Sequence, residues 1–281
     1  MIIDAHTHTF PDRIAAHTID KLSHDGGIRP FTGGTLRELA DSSKRAGIDL
    51  SLILPVATSA SQVIKVNDVS ARINEDSGPE PVFSIGCMHP DFPEYKKELR
   101  RIRDLGLRGI KLHPYYQDTC IDDIRYLRIL SEAAELGLVV VTHSGFDVGY
   151  PGLVRCSPRM CLNAVHEVGE FPFVLAHMGG WNSWEEALYL LPGTGVYLDT
   201  AFSCIPYYPR DPMEYADAEP MMPDELFLRF VDTFGADHIL FGTDSPWADQ
   251  SEFVRRMTRM PLSDEQKTKI LGENARELFS L

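Results

Sequence analysis

The stretch IIDAHTH, residues 2–8, decides how the rest of the chain is read. It begins with two β-branched residues and then sets Asp4, His6 and His8 at alternate positions, the pattern of a short strand ending in polar side chains. Alternate residues of a strand share a face, so the two imidazoles point the same way. A doubly wound open sheet usually offers a glycine-rich phosphate turn after its first strand, and none follows Ile2 and Ile3 here.

Seven further apolar, β-branched runs follow at similar spacing. They are LSLILPV (50–56), VFSIGCM (82–88), LRGIKLH (107–113), LGLVVVTH (136–143), FPFVLAH (171–177), VYLD (196–199) and HILFGTD (238–244). Amphipathic segments separate them, and several carry helix boundary signals. Thr35 with Glu38 forms a capping box closed by Gly47, Asp122 precedes an apolar helix ending at Gly137, Ser157 stands before Pro158, and Ser263 with Gln266 opens the last helix. Eight strands alternating with helices predict an α/β fold, a (β/α)8 TIM barrel in a single domain over residues 1–281. The stretch 201–224, rich in Pro, Tyr and Met, reads as an active-site lid.

Composition narrows the functions. Acidic residues outnumber basic ones 41 to 27, for a formal charge of -14, and such a surface repels nucleic acid and anionic lipid. No apolar run reaches the ~20 residues of a membrane-spanning helix. The start MIIDAHTH lacks the features of a signal peptide, so a cytoplasmic location is expected. The five cysteines are scattered without a CxxC pair and read as reduced core thiols.

In a TIM barrel the chemistry sits at the C-terminal ends of the strands. Strand one ends in His6 and His8, strand five in His143, strand six in His177 and strand eight in Asp244. Each alone is an ordinary polar residue. Four strand ends that a barrel gathers around one axis instead predict a metal centre, and imidazole with carboxylate suits Zn, Mn, Fe or Co. On strand four, Lys111 and His113 share the lumenal parity. Lys111 can be carboxylated to bridge two metals, hold a substrate carboxylate, or pair with a neighbouring acid. Asp4 shares the parity of His6 and His8 and is expected deeper in the barrel as a hydrogen-bonding residue. His17, His24 and His166 are expected on the surface, His238 at the opposite end of the barrel, and His89 at the rim.

At these residues the chain resembles the amidohydrolase superfamily, and more narrowly the amidohydrolase-2 branch with its aminocarboxymuconate semialdehyde decarboxylase-like proteins. The resemblance is carried by DAHTH (4–8), GIKLHP (109–114), VTHSG (141–145), LAHMGG (175–180), FGTDSPW (241–247) and ILGENARELF (270–279). It implies a metal-dependent enzyme on a distorted barrel. It also implies that His6, His8, His143 and Asp244 hold one metal, usually zinc, while His177 is catalytic. KLHP is similar as well to the strand of dihydroorotases whose carboxylated lysine bridges two metals, which keeps a second metal at Lys111 open.

A bound divalent ion lowers the pKa of water from 15.7 to about 7. The first expectation is therefore a hydrolase of a small organic acid, lactone or amide, with Asp244 accepting and returning the proton and His177 steering the water or polarising the carbonyl. The alternative is a lyase that decarboxylates or hydrates an unsaturated or aromatic acid. A third reading is a non-catalytic metal-binding barrel. A TatD-like nuclease stands further off because of the acidic charge. Substrate contacts are expected from His113, Tyr115, Trp181 and Trp247, with Tyr116, Trp184, Tyr207 and Tyr208 as further aromatic candidates and Arg155 or Arg210 as carboxylate clamps. The expected partner is a small molecule, and a homodimer is an open assembly state.

Overall fold

A computed structural model describes residues 1–78, 80–211 and 220–281. Each of the eight apolar runs contains a strand. In chain order they are β1 (Ile3–Thr7), β2 (Leu50–Ile53), β3 (Val82–Ser84) with β4 (Gly86–Cys87), β5 (Gly109–Leu112), β6 (Val139–Thr142), β7 (Phe173–Leu175), β8 (Tyr197–Asp199) and β9 (Ile239–Leu240). All neighbouring pairs are parallel, in the order β1-β2-β3 and β4 through β9. The third barrel strand is broken at Ile85, whose N–H still reaches Ile53 O at 3.1 Å. The ring closes where the two ends of the sequence meet. Ala5 N donates to Phe241 O at 2.8 Å, Asp244 N to His6 O at 2.8 Å, and His8 N to Ser245 O at 2.7 Å.

Two apolar layers hold the barrel. Ile3, Ala5, Leu52, Leu54, Ile85, Val139, Val141, Val174 and Leu240 form one cluster, closed off by Ala275 and Phe279 of the C-terminal helix. The opposite parity, including Ile110, Leu112, Val140, Phe173, Leu175, Leu198 and Ile239, packs against the helices. This alternation is the period of two expected of strands lined on both faces.

The parity breaks in β1. Ile3 pairs with Leu50, Asp4 with Ser51 and Thr7 with Ile53, so β1 carries one more residue than β2 over the same span. A β-bulge of this kind re-aims the side chains that follow it. Asp4 therefore does not share the face of His6 and His8. It points toward the helices, where Thr243 Oγ1 and Gln250 Nε2 donate to its Oδ2, the latter at 2.8 Å.

The helix signals are met at Thr35, Ser157 and Ser263. The helix Ile124–Glu135 differs: Asp123, not Asp122, caps it by accepting from Arg125 N, while Asp122 accepts from Asn163 at 2.9 Å. The last helical segment widens into a π turn over Lys269–Glu273. There Gly272 lies against Met1 O, which a Cβ would meet at 2.6 Å, and Ile270 O accepts from Phe241 N. A first helix, α1 (Asp12–Gly26), precedes the expected α2 (Leu36–Ala46). Of the 201–224 stretch, residues 212–219 lie outside the described residues, while Tyr207 and Arg210 tie the described part to α1 through Gly26 and Asp20. All five cysteines are free. Among the described residues no helix is long and apolar enough to cross a membrane.

Candidate active site

The strand ends converge on a cavity of about 1040 Å³ whose floor includes His6, His8, Lys111, His143, His177 and Asp244. The His6 and His8 Nε2 atoms are 3.2 Å apart, and Asp244 Oδ1 lies 3.5 Å from the first and 3.1 Å from the second. His177 Nε2 faces His143 Nδ1 at 3.1 Å. Lys111 Nζ completes the floor, 3.2 Å from His6 Nε2.

Hydrogen bonds behind each imidazole fix which nitrogen carries the proton. His6 Nδ1–H donates to Asp199 at 2.8 Å, His8 Nδ1–H to Leu54 O at 2.9 Å, and His177 Nδ1–H to Ala201 O at 2.9 Å. His143 donates the other way, from Nε2–H to Phe146 O at 3.0 Å. The opposite nitrogens thus present lone pairs to one another across 3.1–3.2 Å. Facing lone pairs repel unless a cation lies between them. Three groups of this set, His6, His8 and Asp244, bring their ligand atoms within 4.8 Å of one another, and such a donor set fits one divalent ion.

Electrostatics agree with that role. Burial, reinforced by the charge of Lys111, holds His6 neutral well below the ordinary histidine range and brings His143 down to about 4. Burial and the neighbouring His143 bring His177 to about 4. Burial also lowers Lys111 to about 8, against the pull of Asp199 and Asp244. For Asp244 burial works upward, but the imidazoles gathered around it prevail, and the carboxyl sits well below its usual range.

The backbone is strained at the same places. His177 has φ 60°, Met178 57° and Asp244 67°, all in the left-handed region that side chains larger than glycine rarely occupy. Asp199 braces the first of these turns: its Oδ1 accepts from His177 N at 2.9 Å and its backbone oxygen from Met178 N at 2.7 Å. Beside it, Gly145 at φ 84° lets the loop after β6 touch the loop after β7; a Cβ there would stand 2.1 Å from Trp181 N.

Of the expected substrate residues, His113, Tyr116, Trp181 and Trp247 line the cavity together with Phe146 and Phe202. Tyr115 stands behind His143, its hydroxyl bonded to Gly145 O at 2.5 Å, and is not part of the lining. Trp184 braces His177 O instead, at 3.1 Å. Neither proposed clamp reaches the cavity: Arg155 is paired with Asp118, and Arg210 with Asp20 at 2.7 Å. His89 is buried away from the lining, and His17, His24 and His166 are exposed. Two acids were missed in the sequence. Asp199 ends the strand VYLD, and the strand-end rule that found the histidines applies to it equally. Asp147 lies four residues past His143 in a loop, where no periodicity marks it. It lines the cavity and forms a second group with His113 and His143.

A parallel (β/α)8 barrel with a His-His-Asp cluster at the catalytic rim defines a metal-dependent barrel enzyme. A sequence profile of the amidohydrolase-2 family matches residues 3–281, and the chain belongs to that family. Comparison with curated proteins found no match. Among solved structures, an uncharacterised TIM-barrel protein from Bordetella bronchiseptica is similar with a TM-score of 0.76 at 19% identity, covering 99% of this chain and 98% of that one. A 2,6-dihydroxybenzoate decarboxylase in complex with 2,6-dihydroxybenzoate gives 0.72 at 14% identity, covering 100% and 99%. A 5-carboxyvanillate decarboxylase from Novosphingobium aromaticivorans with bound manganese and 3-methoxy-4-hydroxy-5-nitrobenzoic acid gives 0.69 at 14% identity, covering 100% and 97%.

Proposed function

We propose that the protein is a metal-dependent lyase that removes CO2 from a small aromatic or unsaturated carboxylic acid. The observation that carries this reading is the contrast between a polar floor that includes Lys111 and an aromatic wall of Tyr116, Phe146, Trp181, Phe202 and Trp247. An apolar wall strips water from a bound carboxylate, which raises its energy relative to neutral CO2 and the dispersed charge left on the ring. The decarboxylases among the structural neighbours support the same choice. The order expected from the sequence, with hydrolysis first, is thereby reversed.

His6, His8, His143 and Asp244 would hold the ion, zinc or the manganese seen in the neighbour. When bound, it supplies a Lewis-acid contact for a substrate oxygen. Lys111, buried beside His6, is placed to attract the acid into the floor. His177 is held by Ala201 O with Nε2 directed at the reacting group and orients it. Asp244 is ionised at rest. Asp244 would relay a proton from solvent to the carbon that gives up CO2, whose bonding electron pair then forms the new C–H bond. Hydrolysis is the second reading, favoured by that same ionised carboxylate, which can instead accept a proton from attacking water.

The test is a panel of hydroxybenzoates, unsaturated acids, lactones and amides assayed on metal-loaded protein for CO2 release and for incorporation of labelled water oxygen. Release of CO2 without label in the product is expected. Label without CO2 would replace the lyase with a hydrolase, and neither product from a metal-loaded protein would favour a non-catalytic barrel.

A further inference from the structure

Asp147 has an oxygen with nothing to hold. Its side chain is only 8% exposed, and Oδ1 accepts from Gly149 N at 2.8 Å. Among the described residues no donor comes within hydrogen-bonding distance of Oδ2. The nearest are His143 Nε2 at 3.7 Å and His113 Nε2 at 3.8 Å, both beyond a direct bond. Asp147 lines the cavity, so this largely buried side chain has a carboxylate oxygen available to a ligand there. A carboxylate oxygen on a mostly buried side chain with no protein donor gains from a bound group that donates to it.

The proton positions select the group. His113 Nδ1 accepts from Tyr116 N at 3.5 Å, which leaves the proton on Nε2, the atom facing Asp147. His143 Nε2–H is committed to Phe146 O. A metal ion would need lone pairs where both rings carry protons. An ammonium group can donate to Asp147 but cannot accept from His113, and a carboxylate can accept but cannot donate. A hydroxyl does both. The place is also close to the floor, because the one ring of His143 touches both: Nδ1 meets His177, and Nε2 lies 3.7 Å from Asp147. A single aromatic ring spans such a distance. The aromatic side chain needed to seat it is present, since Tyr116 stacks on His113 with centroids 3.8 Å apart and planes 4° from parallel.

We infer that Asp147 and His113 form a hydroxyl-recognition subsite, so that the preferred ligand is a ring acid bearing a hydroxyl group that bridges Asp147 Oδ2 and His113 Nε2. This deepens the decarboxylase reading and rests on it for the acid, but not for the hydroxyl contact.

The test is binding. Benzoate and 2-, 3- and 4-hydroxybenzoate are titrated calorimetrically into the metal-loaded protein, into Asp147→Asn, which keeps the turn to Gly149 but replaces the acceptor with a donor, and into His113→Phe, which keeps the stack on Tyr116. The wild type should bind at least one hydroxybenzoate about tenfold or more tightly than benzoate, the size expected for a hydrogen bond to a charged group. Either variant should reduce that preference to about twofold or less, with metal content retained. Equal binding of all four acids by the wild type, no binding of any, or a preference that survives in both variants would overturn the subsite. So would a second metal ion per chain that is lost in Asp147→Asn. Release of CO2 is scored separately: preference without CO2 retains the subsite and removes the decarboxylase, whereas CO2 without preference does the reverse.

Discussion

Single side chains divide the labour of the site, and each assignment has a measurable consequence. His177 donates Nδ1–H to Ala201 O, which leaves the lone pair on Nε2 facing the cavity floor, where the proposed role requires it. His177→Asn should retain the metal and lower turnover by about 100-fold or more, the scale of a general acid–base contribution; unchanged turnover would reject the role. Asp199 acts one step back, holding the proton of His6 on Nδ1. Asp199→Asn should weaken metal affinity about 10- to 100-fold, read by competition with a chelator. Titration adds a third prediction. His177 is lowered to about 4 in the fold and returns to about 6.5 on unfolding, so between those values the unfolded chain binds more protons and stability rises with pH. In chelated protein, denaturant titrations at pH 4 and 6.5 should show a rise that His177→Asn reduces by on the order of 2 kcal/mol. The buried carboxyls Asp4 and Asp147, each raised to about 6 by burial, pull the other way over much of the same window. The comparison with the variant is therefore the informative one. At this scale the sequence was generous with histidines and silent on their partners. A strand end marks Asp199 as it marks the histidines, whereas Asp147 acquires meaning only from what the fold sets beside it.

Elements decide where those side chains go, and here one irregularity outweighs the pattern. The eight strand positions, the capping boxes at Thr35 and Ser263 and the N-cap at Ser157 follow from local chemistry and were legible in the sequence. Asp4 was not, because parity fails across the bulge between Asp4 and Thr7, and nothing in DAHT marks an extra residue. The loops after β6 and β7 depend on Gly145 in a comparable way. Gly145→Ala meets both a left-handed backbone and the Trp181 amide. It should destabilise the protein by about 3 kcal/mol or more, seen as a lowered denaturant midpoint, and should weaken metal binding through the displacement of His143.

Across the whole molecule, donors from the end of β1 and from the loop that follows β9 meet although they are far apart in the chain. An ion that binds only the folded arrangement stabilises it by about 2.7 kcal/mol at a concentration 100 times its dissociation constant. Adding zinc or manganese to chelated protein should raise the melting temperature by several degrees, and Asp244→Ala should abolish most of that rise. The barrel itself was readable from spacing because a strand and a helix recur at nearly constant length. The aromatic wall was harder to foresee, since residues such as Phe146 and Phe202 reach the mouth from irregular loops.

The seam that closes the barrel passes through the reaction centre. Asp244 N donates to His6 O, and the side chains of those same two residues belong to the ion-binding cluster. During synthesis His6 and His8 emerge first and wait for a carboxylate more than two hundred residues behind them. A nascent chain stalled before Asp244 has most of its wall and no finished ring, and its two imidazoles lack their anionic companion. Closure of the ring and assembly of the cluster thus depend on the same two residues.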